Sequence, residues 1–156
     1  MLTGTLCFFP LKEGGDLTAQ INYNAILEIK KGNTAKAVQL WGKSAKINGD
    51  FSDYARLALA GVSLQQKRFT DSIKILNQIS NESNAKPLAL NLLAKVKLKQ
   101  GLRKEAIRNL QKSLEINGAQ LGVLKELVLL HGQSDLTTAH KYKADYNSLL
   151  TLYQSH

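Results

Sequence analysis

Few residues in this sequence are of a type and spacing that could do chemistry. Gly42-Lys43-Ser44 matches the tail of a phosphate-cradling loop, a motif that needs another glycine five residues before Gly42 and a preceding strand. Ala37 stands in that place and the flanking residues have helical spacing, so Lys43 reads as a solvated helix residue, like Lys112 in a matching context. His131, His140 and His156 are the only imidazoles, and none has a partner in the His-x-x-x-His register that a helical zinc site uses. Cys7, the single cysteine, has no nearby His, and no Ser sits in a strand-turn-helix elbow. These residues give no catalytic group, no metal site and no cofactor, and the chain reads as a non-enzyme.

The cations are more informative. Lys and Arg number 21 against 12 Asp and Glu, a formal net charge of +9. Residues 86–112 hold Lys86, Lys95, Lys97, Lys99, Arg103, Lys104, Arg108 and Lys112 against Glu105 alone, so seven of the nine net charges lie there. Lys104, Arg108 and Lys112 are four apart and share one helix face, the pattern of a solvated surface. Lys95 and Lys99 share a face of the preceding helix with Asn91, and facing inward they would form a donor-rich floor for carboxylates. Asn22 and Lys30 are the corresponding candidates for partner binding near the N-terminus. Nucleic acid is the weaker partner class, because no aromatic residue that could stack on a base lies between Phe69 and Tyr142.

The remaining composition is that of an ordinary globular chain. Of 156 residues, 44% are apolar, with no run long enough to span a membrane and one cysteine too few for an internal disulfide. The opening MLTGTLCFFPL lacks a basic residue before its apolar stretch and a small-x-small site after it. Residues 1–15 therefore read as an untargeted arm and the expected location is the cytoplasm, or the bacterial periplasm if a longer precursor is trimmed.

The elements that must position these residues come from a repeat. KSAKING at 43–49 returns as KSLEING at 112–118. Each is preceded by a turn glycine, Gly32 or Gly101, with an alanine five residues later, Ala37 or Ala106. Between them KRFTDSIKIL offers Ser72 in the same slot, Ala139 follows at 33 residues further on, and Ala25, Ala60 and Ala94 form a second series. The period is about 34 residues and each unit reads as two helices, with no strand pattern. Asp16 and Asn33 are expected N-caps, Pro87 opens a helix, Gly101 and Gly118 close helices, and the second unit starts near Asp53 and turns at Lys67 and Arg68. Short side chains recur because paired helices approach to ~8–10 Å only where the crossing residues are small.

INYNAILEIKKGNTAKAVQLWGKSAKING and LNLLAKVKLKQGLRKEAIRNLQKSLEING, with this period and these small residues, resemble the tetratricopeptide repeat. The resemblance implies an all-α fold, a right-handed α-α superhelix, over residues 16–154. Its units fall at about 18–51, 53–86 and 87–120, followed by a degenerate helical pair at 120–154 whose closing helix would bury Leu136, Ala139, Tyr142, Tyr146, Leu149 and Tyr153. The sequence departs from the family late in the first helix, where an aromatic is usual and Glu28, Ser63, Lys97 and Leu130 stand, and at the usual terminal proline, replaced by Gly49 and Gly118. A carboxylate clamp known in some members is incomplete, since the inner positions hold Asn22, Ile26, Ala58, Leu88 and Leu92.

The resemblance implies a non-catalytic scaffold docking a partner peptide or helix, of acidic character given the charge, in its groove. The C-terminal DLTTAHKYKADYNSLLTLYQSH is also similar to tails of bacterial envelope peptidases, which makes an accessory tail or subunit of a peptidase, quality-control or secretion assembly the alternative. Phosphate-backbone nucleic-acid binding is the second alternative. Partner identity and oligomeric state are not written in the sequence.

Overall fold

The computed structural model describes residues 16–132 and 134–156, so the arm at 1–15, with Cys7, Phe8 and Phe9, lies outside the described residues. Among those described there are eight α-helices and no strand: α1 (Leu17–Lys30), α2 (Thr34–Lys46), α3 (Ser52–Gln65), α4 (Phe69–Leu76), α5 (Lys86–Lys99), α6 (Arg103–Ile116), α7 (Leu121–His131) and α8 (Leu136–Gln154). None of them is long and apolar enough to cross a membrane. The chain forms two compact units, Met1–Ala55 and Arg56–His156.

The hairpin junction is built three times in the same way. Gly32, Lys67 and Gly101 take positive φ of 82°, 59° and 75°. Their N–H groups donate to the carbonyls of Ile29, Leu64 and Leu98 at 2.9, 2.9 and 3.0 Å. The following residues, Asn33, Arg68 and Leu102, donate to Glu28, Ser63 and Lys97, each at 2.8 Å. These paired bonds satisfy carbonyls that the end of a helix leaves open, and the left-handed residue turns the chain into the next helix. The second junction uses a lysine where the others use glycine, so Lys67 bears the backbone cost that glycine avoids.

The small residues fall where the repeat predicts. Ala37, Ser72, Ala106 and Ala139 are each the fourth residue of their helix, and all four are buried, as are Ala25, Ala60 and Ala94. The hydroxyl of Ser72 donates to the Ala60 carbonyl across its hairpin at 2.9 Å, so the serine keeps the close approach and satisfies its own polar group. Around these contacts, Ala60, Leu76, Ile79, Ala85 and Ala89 form one apolar cluster of the second unit. Ala94, Ala106, Leu110, Val123, Leu127 and Leu130 form another. In the first unit Trp41 is buried with Ala25 and Ala37.

Several local expectations need correction. Asp16 does cap α1, accepting from the Thr18 N–H at 2.6 Å, but Asn33 makes no side-chain cap on α2. Its amide instead donates to Glu28 Oε2 at 2.8 Å, because that buried carboxylate lies within reach across the turn. Pro87 is the second residue of α5, not the first. On α8 only Ala139 of the expected face is fully buried, while Leu136 and Tyr153 are exposed, since no later helix packs on them among the described residues. Gly118 does not close α6: the helix ends at Ile116 with Asn117 extended.

Gly49 and Gly118, identical in the two phrases, have different physics. A Cβ on Gly49 would stand 2.7 Å from Thr18 Cγ2 and 2.9 Å from both Asp16 Oδ1 and Thr18 Oγ1. The same Asp16 and Thr18 side chains accept from the N–H groups of Asp50 and Phe51 at 2.6 and 3.0 Å, which draws the turn onto the cap of α1. A Cβ on Gly118 meets only the Leu114 carbonyl at an ordinary 3.7 Å.

Two of the positions where the resemblance leads one to expect an aromatic carry a polar latch instead, Glu28 and Lys97. Glu28 pairs with Lys36 at 3.4 Å and Lys31 at 3.3 Å. Lys97 pairs with Glu105 at 2.8 Å. In both hairpins the latch joins a residue to the one eight positions later, with the charges reversed. Hydrogen bonding from Asn33, then from Lys31 and Lys36, holds the Glu28 carboxyl below its ordinary range, and Lys97 does the same for Glu105.

Substitutions at the turns, at the two phrase-ending glycines and at Glu28 test these contacts. Lys67→Gly should raise stability by about 0.5 kcal/mol, and Gly101→Ala should lower it by about 1 kcal/mol. Gly49→Ala should cost about 1–3 kcal/mol and Gly118→Ala less than about 0.5 kcal/mol, all read by urea denaturation. Because Glu28 titrates lower folded than unfolded, its contribution is complete above the ordinary carboxylate range and is lost as pH falls below it. Glu28→Gln should therefore be less stable than the parent at pH 7, with the difference closing as denaturation is repeated toward pH 3.

Candidate functional site

Within the second unit, α5 and α7 border a cleft of about 420 Å³ floored by Leu110 of α6. Asn91, Ala94, Lys95 and Leu98 line it from α5, and Gln120, Gly122, Val123 and Glu126 from the start of α7. The buried Ala94 keeps the α5 wall low, and Leu110 and Val123 make the floor apolar.

The polar chemistry of the cleft is fixed by a chain of amides. Gln120 Nε2 lies 2.7 Å from the Asn117 carbonyl, 3.1 Å from the Ser113 carbonyl and 3.0 Å from Ser113 Oγ. The buried Ser113 hydroxyl spends its own proton on the Pro87 carbonyl at 3.0 Å. Only an amide nitrogen suits those acceptors, so Gln120 must turn Oε1 toward Asn91, which donates Nδ2 to it at 2.8 Å. Asn91 Oδ1 is then left buried and without a hydrogen-bond partner. A buried acceptor in this state costs free energy that a bound N–H would recover.

The candidate residues divide accordingly. Asn91 and Lys95 line the same cleft, Lys95 exposed and Asn91 half-buried. Lys99 is exposed one turn further along α5, outside the lining. Asn22 and Lys30 belong to the first unit, where the Asn22 amide donates to the Phe51 carbonyl at 2.8 Å and Lys30 is exposed at the end of α1. Part of the basic segment serves the fold: Lys97 pairs with Glu105, Lys86 donates to the Ile79 carbonyl at 3.1 Å, and Arg103 donates to the Leu130 carbonyl. Lys104, Arg108 and Lys112 stay exposed along α6.

Gln120 and Glu126 were not among the sequence candidates, and Glu126 makes the cleft mixed in charge. A signal for Glu126 existed, since the inner positions Leu88 and Leu92 advance by one period of 34 to Gly122 and Glu126. Gly42-Lys43-Ser44 lies inside α2, so it forms no phosphate loop. The His131 ring stacks on Tyr142 with centroids 5.7 Å apart.

The sequence model of the tetratricopeptide repeat matches residues 28–96. Among solved structures, a crystal structure of MamA is similar with TM-score 0.72 at 16% identity, over 94% of this chain and 85% of that one. MamA 41-end from Desulfovibrio magneticus RS-1 is similar with TM-score 0.62 at 16% identity, over 89% and 77%. The TPR-like repeats of a kinesin-light-chain-type protein from Podosopora anserina are similar with TM-score 0.61 at 15% identity, over 89% and 77%. A search of curated proteins gave no match. Tetratricopeptide repeats are interaction modules, generally without catalytic activity. Residues 28–96 thus match the tetratricopeptide-repeat model, and the chain has the all-α fold of tetratricopeptide-repeat solenoids.

Proposed function

We propose that the chain is a non-catalytic docking scaffold whose α5/α7 cleft receives an extended partner segment with a carboxylate beside an apolar side chain. The observation that carries this reading is the unpartnered Asn91 Oδ1 in the wall of an apolar-floored cleft with Lys95 on the same helix. A peptide N–H satisfies the oxygen, a carboxylate meets the ammonium of Lys95, and a side chain fills the space above Leu110 and Val123. Glu126 disfavours a segment acidic throughout, so the charge belongs on the Lys95 side of the bound segment. The net charge of +9 adds long-range attraction for acidic partners.

Fluorescence anisotropy with labelled decapeptides of alternating Leu and Asp, against matched peptides of Leu and Lys, tests this. The acidic peptide should bind more tightly, and Lys95→Glu with Lys99→Glu should weaken it about tenfold or more while leaving the circular dichroism unchanged. Asn91→Ala should weaken it about two- to tenfold. Equal affinity for both peptides would remove the carboxylate reading. Capture of a single-stranded oligonucleotide that fades steeply with salt would replace it with phosphate contacts by Lys104, Arg108 and Lys112.

A further inference from the structure

The α5/α7 cleft is bordered by two opposite charges that the fold leaves without counter-ions, Lys95 from α5 and Glu126 from α7. Side chains on a helix meet those three and four residues away, and at those positions Glu126 has Gly122, Val123, Leu129 and Leu130. Lys95 has Asn91, Leu92, Leu98 and Lys99. Neither helix neutralises its own charge, and among the described residues no ion pair joins the two across the cleft. Other acids of the second unit are answered within their hairpins: Lys97 holds Glu105 at 2.8 Å and Arg68 holds Asp71 at 3.5 Å. There is also room beside Glu126, since a Cβ on Gly122, one turn earlier on α7, would meet nothing within 4 Å.

We infer that the segment docked in this cleft is amphoteric: it brings a lysine or arginine side chain to Glu126 as well as a carboxylate to Lys95, with its apolar residue between them. The pairing presupposes the docking role proposed above for the cleft. Glu126 is half-buried already, so a ligand that covers it without a cation strips water from the carboxylate and returns nothing. A cation alone is no better, because the net charge of +9 repels it from a distance and Lys95 repels it within the cleft. An acid and a base together escape both costs. The two charges border one space of about 420 Å³, the size of a small-ligand pocket, so the acid and the base lie within a few residues of each other in the bound segment. Walls of opposite sign select by rejecting segments of a single sign as well as by attracting the matched one.

A third labelled decapeptide, in which Leu alternates with Asp and Lys by turns, joins the acidic and basic ones in fluorescence anisotropy on the full chain. At about 0.5 M salt, where long-range attraction is screened, the mixed peptide should bind the parent about fivefold or more tighter than the acidic one. Glu126→Gln, at a position that pairs with no other described residue, should leave the circular dichroism unchanged, weaken the mixed peptide about fivefold and tighten the acidic one, reversing their order. Glu126→Lys should widen that reversal. An acidic peptide that binds the parent as tightly as the mixed one, or a Glu126→Gln variant that moves both peptides alike, overturns the amphoteric pairing and leaves the docking role standing. If none of the three peptides binds the parent, the docking role itself falls and the pairing goes with it.

Discussion

Each helical hairpin depends on one constraint: the second helix must leave the turn in a fixed direction and at once approach the first closely. The left-handed residue sets the direction, and the fourth residue of the next helix, always small, permits the approach. Both must hold together, since a correct turn with a large side chain at the crossing would wedge the pair apart. Each junction also satisfies two of the carbonyls left open at the end of a helix. This is why Gly32, Lys67 and Gly101 occupy one backbone state although one of them is a lysine. Position, not residue type, is what the repeat keeps.

The cleft follows from the same rule. Ala94 is the small residue of α5 at its crossing with α6, and its missing bulk helps open the space beside Asn91 and Lys95. The polar side is then set by backbone carbonyls at the end of α6, which orient Gln120 and through it Asn91. A binding chemistry is thus dictated by a helix terminus that itself need not touch a ligand. The scaffold and its candidate site share one cause, and disturbance of the α6 end would be felt in the cleft.

How much of this was legible beforehand depended on whether a residue's role was local. Ala37, Ser72 and Ala106 could be placed because the period repeats, and Gly32 and Gly101 because glycine advertises its conformation. Lys67 could only be placed by register, since nothing in a lysine signals positive φ. Asn33 looked like a cap because its type and position fit one, but Glu28, invisible as a neighbour in sequence, claimed it. Gly49 and Gly118 read alike and differ because only Gly49 is pressed by the cap of a helix more than thirty residues earlier. Asn91 and Lys95 could be put on one face from their spacing, whereas the direction of the Asn91 amide needed the Ser113 and Asn117 carbonyls.

The reversed latches bear on how a chain with such similar segments assembles. Glu28 meets Lys36 in one hairpin, and Lys97 meets Glu105 in another. Were α1 to pair with α6 during folding, Glu28 would face Glu105, and were α5 to pair with α2, Lys97 would face Lys36. Both exchanges put like charges against each other at the turn, where the helices first meet. Chains built of near copies risk shuffling their parts, and opposite polarity in matching slots gives each half a way to reject the wrong mate.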